Sequence, residues 1–386
     1  MKLLNFYLLL VFTLHLLFFN NLASANDSSY FGSGNQIIPL QETNISVKKE
    51  VLTIKRINDI KGNKVRITVD YIFHNPSKEK SLLMGFEAST PYGDAISSPR
   101  HGEHPYIDNF SVSFNGKTVP HKVSFLTPTY KDEGKTTMLY TIEDLKKNLL
   151  TLTSTKVNGD IYVYHFPASF PSGDTQVIHT YDYAISGSVF TTAEIEYLLT
   201  PALRWANHQI DDFTLIVDLG EFQQYHIFPT FFNDISQWTT QGRVKVAMED
   251  VKSEISEETM RMMTVWQHHG SVTFHAKNFR PKGELSLFAN RYITSYKILD
   301  VDVMKISLQD LPWISEMKLK DEFTRNVLEN LPYARRGFVF QNQKLKTFFE
   351  AQPWYIPDPE CKDASITDEE KAWLKELSQL PVANDK

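Results

Sequence analysis

Val65-Arg66-Ile67-Thr68-Val69-Asp70-Tyr71-Ile72-Phe73 alternates apolar and polar side chains through most of its length. Val65, Ile67, Val69, Tyr71 and Phe73 fall on one side of an extended chain, and Arg66, Thr68 and Asp70 on the other. Successive side chains of a strand point to opposite faces, so a period of two predicts a half-buried antiparallel strand. On its N-terminal side, residues 51–57 read as a partner strand, joined through Lys61-Gly62-Asn63-Lys64 as a tight hairpin. On its C-terminal side, Asn75-Pro76-Ser77 reads as a turn and residues 82–86 as the returning strand.

The same reading extends over residues 45–305. Asn115-Gly116 predicts a hairpin between residues 112–114 and the stretch 119–125, because this pair tolerates the positive φ angles of such a turn. Further strands are expected at 161–166, 177–183, 213–219, 244–248, 272–276 and 285–289. One helix is expected at 192–199, where Thr191 and Glu194 have the spacing of a capping box and Pro201 closes the segment. Past Leu311-Pro312 the period changes to that of helices. Leu319, Phe323, Val327 and Leu328 share a helix face before Pro332; Leu345, Phe348 and Phe349 give a second short helix; Thr367 and Glu370 cap a third. The expected fold is mainly β, with one or two β-sandwich-like units followed by a small α-rich module. The domain limits read as 1–25 for a signal peptide, 26–308 for the β region and 309–386 for the module.

The leader reading rests on Lys2, an apolar run over residues 3–19, and Ala23-Ser24-Ala25, whose small side chains suit signal peptidase. The mature chain, starting at Asn26, has no later apolar run long enough for a transmembrane span, and a place outside the cytoplasm, periplasmic rather than fully secreted, is expected. At 386 residues, 42% hydrophobic and 22% charged, the composition is that of a globular protein, and 13% aromatic content suits β-rich cores. A net charge of −6 excludes the electrostatic footprint of a nucleic-acid binder. With Cys361 as the single cysteine, no disulfide can form within the chain.

The C-terminal module resembles the YARHG domain, a small extracellular bacterial module. The resemblance is carried by Tyr333-Ala334-Arg335-Arg336-Gly337, then Phe338-Val339-Phe340, the helix at 345–349 and Trp354-Tyr355. Arg336 stands where the motif has His, and Pro332 falls where helix is expected to continue, which implies an altered entry into the turn. Residues 28–300 are similar to a family of exported bacterial proteins described as a domain of unknown function, numbered 4424. That similarity is carried by residues 38–46, Lys49-Glu50, residues 69–75, Tyr197-Leu198-Leu199 and Trp205. The two resemblances imply export and architecture; neither implies an activity or a cofactor.

Chemistry-bearing residues are sparse. His101-Gly102-Glu103-His104 offers two imidazoles and a carboxylate but would need a third or fourth zinc ligand from elsewhere, and His268 and His269 face opposite ways if they lie on a strand. Cys361 lies beside Lys362-Asp363 with no histidine close in sequence, a poor setting for a nucleophile. Asp211-Asp212, Glu133 and Glu194 are the acids available to a carbohydrate-active hydrolase, the competing functional class. The leading expectation is a non-enzymatic envelope protein that binds another protein or a cell-wall polymer and needs no cofactor or metal. Tyr333, Arg335, Arg336, Trp354 and Tyr355 are its candidate ligand-binding residues, forming an aromatic and basic pocket for an anionic envelope ligand. Under the structural alternative, Arg335 stacks on Trp354 or pairs with Asp368 or Glu369 and fixes the module's own helices.

Overall fold

The computed structural model describes residues 25–33, 36–39, 44–59, 62–89, 104, 106–131, 134–141, 161–185, 191–252, 258–290, 297–315, 317–361 and 365–383. Residues 1–24, which carry nearly all of the expected leader, lie outside that set, as do His101, Glu103, Glu133 and Lys362-Asp363. The first strands are β1 (Ala25–Ser33), β2 (Gln36–Pro39), β3 (Ser46–Asp59), β4 (Gly62–Asn75), β5 (Lys80–Ser89), β6 (Ile107–Phe114) and β7 (Lys117–Val119). There follow β8 (Lys122–Lys131), β9 (Gly134–Thr141), β10 (Ile161–Phe170), β11 (Gly173–Ala184), β12 (Thr191–Tyr197) and β13 (Ile210–Asp218). The last are β14 (Gln223–Ile227), β15 (Trp238–Lys252), β16 (Thr259–Phe279), β17 (Leu285–Asn290), β18 (Ile298–Leu299) and β19 (Lys318–Leu319). Among the described residues three helices follow: α1 (Glu322–Arg335), α2 (Gln343–Glu350) and α3 (Asp368–Leu377). The protein is mainly β, with large sheets followed by a three-helix module.

Packing divides the chain into two units. The first takes the described part of Met1–Ile185 with Ile195–Ile216 and Phe274–Ser286. It sets a sheet in the order β2-β1-β5-β10-β8-β9 against the run β13-β3-β4-β11-β6-β7. Within β4 the alternation is as the sequence dictates, with Val65, Ile67, Val69, Tyr71 and Phe73 all buried. β3 and β11 flank β4 antiparallel, pairing Ile54 with Ile67 and Val177 with Tyr71. A register shift between Val47 and Lys49 lets Val47 and Glu50, an odd number of residues apart, both turn inward. Aromatic rings then join the two sheets. Phe86 meets Tyr181 at 4.8 Å, Phe110 meets Tyr164 at 4.6 Å, and Phe73 meets Phe170 edge-on at 5.5 Å.

Several expectations are corrected here. The stretch 192–199 is not helix: it is strand as far as Tyr197, and Leu198-Leu199 lead out of it. Ala193, Ile195, Tyr197 and Leu199 are buried at every second position, and that period of two overrides the capping-box spacing at Thr191 and Glu194. Pro201 does not end a helix; it stands in the first turn of a short 3-10 helix, Thr200–Arg204. The register pairs Asp59 with Gly62, so Gly62-Asn63 belongs to β4 rather than to a turn, and Lys61 lies outside the described residues. The stretch 119–125 also divides. Lys117–Val119 pairs with β6 across Asn115-Gly116, with φ of 46° and 78° as that turn requires, whereas β8 joins the other sheet.

The second unit takes the described part of Ser186–Glu194 with Val217–Thr273 and Leu287–Lys386. Here β14 pairs with β16 on one side and β17 on the other, and β15 pairs with β16. Its core is shared between sheet and helices. Trp266 of β16 lies in one cluster with Leu299, Leu308, Leu319, Val327, Leu328, Leu331, Phe349, Trp354 and Leu377. The module is therefore completed by the hairpin on which it packs.

Candidate functional site

Helix α1 begins where the Asp321 carboxylate accepts from the Thr324 amide at 2.7 Å, and it buries Val327, Leu328, Leu331 and Ala334. It does not stop at Pro332, as sequence reading expects, but continues to Arg335. Proline removes the amide that would bond the Leu328 carbonyl. Only the last turn follows, and Leu331, Pro332 and Ala334 are all buried, so packing holds it.

The signature is the end of this helix. The Phe338 amide donates to the Tyr333 carbonyl at 3.1 Å and the Gly337 amide to the Ala334 carbonyl at 2.9 Å, the paired bonds of a Schellman cap. Gly337 has φ of 86°, and a Cβ there would come within 2.8 Å of the Ile356 carbonyl oxygen. The Tyr333 and Phe338 rings meet edge-on at 6.4 Å, the apolar contact that accompanies such a cap. The remaining carbonyls are satisfied by side chains. Arg336 Nη1 donates to Pro332 O at 2.8 Å, His268 of β16 meets Arg335 O, and Arg243 of β15 donates to Arg336 O. The end of α1 is thus capped in part by the β15–β16 hairpin.

Glu370 joins the two signature arginines. Its oxygens accept from Arg336 at 2.7 and 2.8 Å, and Oε1 lies 3.4 Å from Arg335 Nη1. It also closes the α3 capping box, accepting from the Thr367 amide at 2.8 Å while its own amide donates to Thr367 Oγ1. Burial acts to raise the Glu370 pKa, but hydrogen bonds from Arg336 and the Thr367 amide, with the charges of both arginines, outweigh it and hold the group below its ordinary value. Arg335 is buried deeply enough to bring its guanidinium down to about 10, and Arg336 adds to the lowering while Glu370 opposes it. Its Nη2 donates to Gln309 O at 3.1 Å. The Phe222 ring lies over both guanidiniums, at 4.6 and 5.0 Å.

The structure thus brings all five candidate residues into one unit, with Arg335, Trp354 and Tyr355 buried and Tyr333 and Arg336 partly covered. Trp354 is 1% exposed and Tyr355 8%. The Trp354 indole donates to Ile306 O at 2.9 Å, and the Tyr355 hydroxyl donates to Phe338 O at 2.7 Å. Arg335 stacks on Phe222 rather than Trp354, and its acidic partner is Glu370 rather than Asp368 or Glu369. Sequence reading missed Phe222, Arg243, Gln309 and the role of His268. Its one available signal was Glu370, a capping residue whose fixed carboxylate faces two arginines.

The other candidates are placed as follows. His268 is buried and His269 exposed, on opposite faces of β16 as strand geometry requires. His104 accepts from the Tyr106 amide at 3.1 Å and serves a turn. Asp211 accepts from Asn207 at 3.0 Å and Gln209 at 2.7 Å, while Asp212 takes His275 at 2.8 Å and Lys277 at 2.7 Å. Burial raises the pKa of Glu194. The Cys361 amide closes a turn on Asp358 O at 3.0 Å. Among the described residues, no group of three or more His, Cys, Asp or Glu is placed to hold a metal ion, and no helix is long and apolar enough to cross a membrane.

Against known families, residues 314–381 match the model of the YARHG domain, so the chain carries that domain at its C-terminus. No curated protein matches the sequence. Among solved structures, the chain is similar to a presumed nutrient-binding protein from Legionella pneumophila. The identity is 17% and the TM-score 0.47, over 92% of this chain and 99% of that one. A mutant M1 zinc metallopeptidase from Deinococcus radiodurans, bound to a Tyr-Ser-Ala substrate, is similar at 10% identity and a TM-score of 0.24, over 66% of this chain and 45% of that one.

Proposed function

We propose that this chain is an exported, non-enzymatic protein of the bacterial cell envelope, periplasmic rather than released, that binds another protein or a wall component. Three features support the reading: the leader-like start ending at Ala23-Ser24-Ala25, the mainly β body and the C-terminal YARHG domain. The looser similarity of residues 28–300 to the exported family numbered 4424 points the same way.

The observation that carries the reading is the engagement of the signature side chains. Arg335, Arg336, Trp354 and Tyr355 are held by contacts within the chain, so the domain is a rigid platform whose partner meets its outer surface. Trp313, just ahead of the matched segment, is 69% exposed, the highest value among the large apolar side chains so described. An indole left in water forgoes burial worth about 2 kcal/mol, which makes it the first side chain to test. Crosslinking in cells followed by pull-down from the envelope fraction should recover a specific protein or wall fragment, and Trp313→Ala should reduce the yield without lowering the melting temperature. Intact product beginning at Met1 and confined to the cytosol would end this reading. An anionic ligand pocket at Tyr333, Arg335, Arg336, Trp354 and Tyr355 predicts otherwise: Arg335→Ala would then leave stability intact and abolish attachment to envelope material.

A further inference from the structure

His268 sits in β16 with its ring buried, and each ring nitrogen faces a backbone carbonyl from a different signature segment. Nδ1 meets Arg335 O at the end of α1, and Nε2 lies 2.7 Å from Trp354 O. A neutral imidazole has one N–H, so it donates to one carbonyl and turns a lone pair towards the other. The imidazolium could donate to both, but its charge would enter a basic setting. Arg243 approaches from β15 and His269 is the neighbour on β16, while the Arg335 and Arg336 guanidiniums of α1 lie against Phe222, the ring that itself meets the imidazole. The nearby anions are committed: Glu370 of α3 to Arg335 and Arg336, and Asp358 to Arg243 at 3.3 Å. Phe222 adds an apolar ring 6.5 Å from the imidazole.

We propose that His268 is an acid-sensitive latch, holding the C-terminal module on the β15–β16 hairpin while neutral and loosening it when protonated. Burial is the main cause that brings its pKa down to about 4, outweighing the raising effect of the two carbonyls. Once the module opens, the ring returns to a value of about 6.5. The open state therefore takes up the proton first, so the latch is fully effective above about pH 6.5 and is lost as pH falls towards 4. Glu370, held below its ordinary value, gives up its contribution only at lower pH. The interval from pH 6.5 to 5 thus isolates histidine. His226, also lowered to about 4 chiefly by burial, is retained in both proteins compared, so the difference between them reports on His268 alone.

The experiment is hydrogen exchange by mass spectrometry on the full chain, followed in the peptide covering Tyr333 to Phe340 and corrected for intrinsic rates. From pH 7 to pH 5 the wild type should lose protection by about twentyfold, and His268→Gln by less than about threefold. Equal losses in the two proteins, or none in the wild type, would overturn the latch. Should His268→Gln fail to fold, an NMR titration of the wild-type ring decides: a midpoint near 4 supports the proposal, and one at or above 6.5 refutes it.

Discussion

Strand β4 and the segment Tyr333-Ala334-Arg335-Arg336-Gly337 are both short patterns that specify structure, and they do so by different physics. In β4 five apolar side chains face one way, and any apolar surface opposite would satisfy them. The information is redundant, because each residue repeats the same instruction. In the signature every position has its own task. Tyr333 and Ala334 supply carbonyls, Gly337 supplies a positive φ, and the arginines need one carboxylate that is 34 and 35 residues away. The first pattern tolerates substitution within a chemical class; the second depends on particular partners.

That contrast can be broken by mutation, most forcefully in the first unit. Phe73 is buried against Tyr71 at 5.1 Å and Trp205 at 4.7 Å, so Phe73→Ala should cost about 4 kcal/mol in denaturant titration, through lost burial and the cavity left behind. Phe73→Leu should recover more than half of it, as expected of a site that asks only for apolar volume. Glu370→Ala is expected to cost about 3 kcal/mol, because the buried Arg335 and the partly covered Arg336 lose their counter-charge. Here the conservative Glu370→Gln should recover little, and a full recovery would erase the distinction between the two regions. Gly337→Ala should cost about 2 kcal/mol from the left-handed backbone alone, with crowding against Ile356 O in addition, read as a lower denaturation midpoint at unchanged slope.

The smallest effect sharpens the comparison by placing a polar pair on the outer face of β4. Arg66 reaches Asp182 through Nε at 2.7 Å and Nη2 at 2.9 Å, and the hydrogen bond from Arg66 is the largest cause holding the Asp182 carboxyl below its ordinary value. The arginine is half exposed, but Asp182 is buried and would keep only its bond from Asn109 at 2.7 Å, so Arg66→Gln should cost about 1.5 kcal/mol. A carboxyl lowered in the folded state contributes stability above its unfolded pKa and loses it as pH falls through the folded one. The wild-type advantage over Arg66→Gln should therefore be constant from pH 7 to about 5 and vanish at more acid pH. An advantage that persists at pH 2 would show that the pair acts through packing alone.

Much of the fold is legible because alternation is a local property. The strands around Val65 to Phe73, the Asn115-Gly116 turn and the capping box at Thr367 and Glu370 can each be read within a few residues. The misreadings share a cause. At Thr191 and Glu194 a capping spacing competes with the alternation Ala193, Ile195, Tyr197, Leu199, and burial of the apolar side decides for strand. At Pro332 the local rule says stop, and the buried neighbours carry the helix one turn further. Within the candidate site, the motif residues were legible as a group and their roles were not, since Phe222, Arg243 and His268 lie far from them in the chain.

By itself the sequence determined the period of each element, and hence a mainly β chain ending in helices, because side-chain direction follows from backbone geometry residue by residue. Tertiary structure alone decided that Glu370 would hold both arginines and that His268 would face two carbonyls. Those contacts exist only after distant segments meet, when desolvation leaves each buried polar atom dependent on the partners that packing has placed beside it.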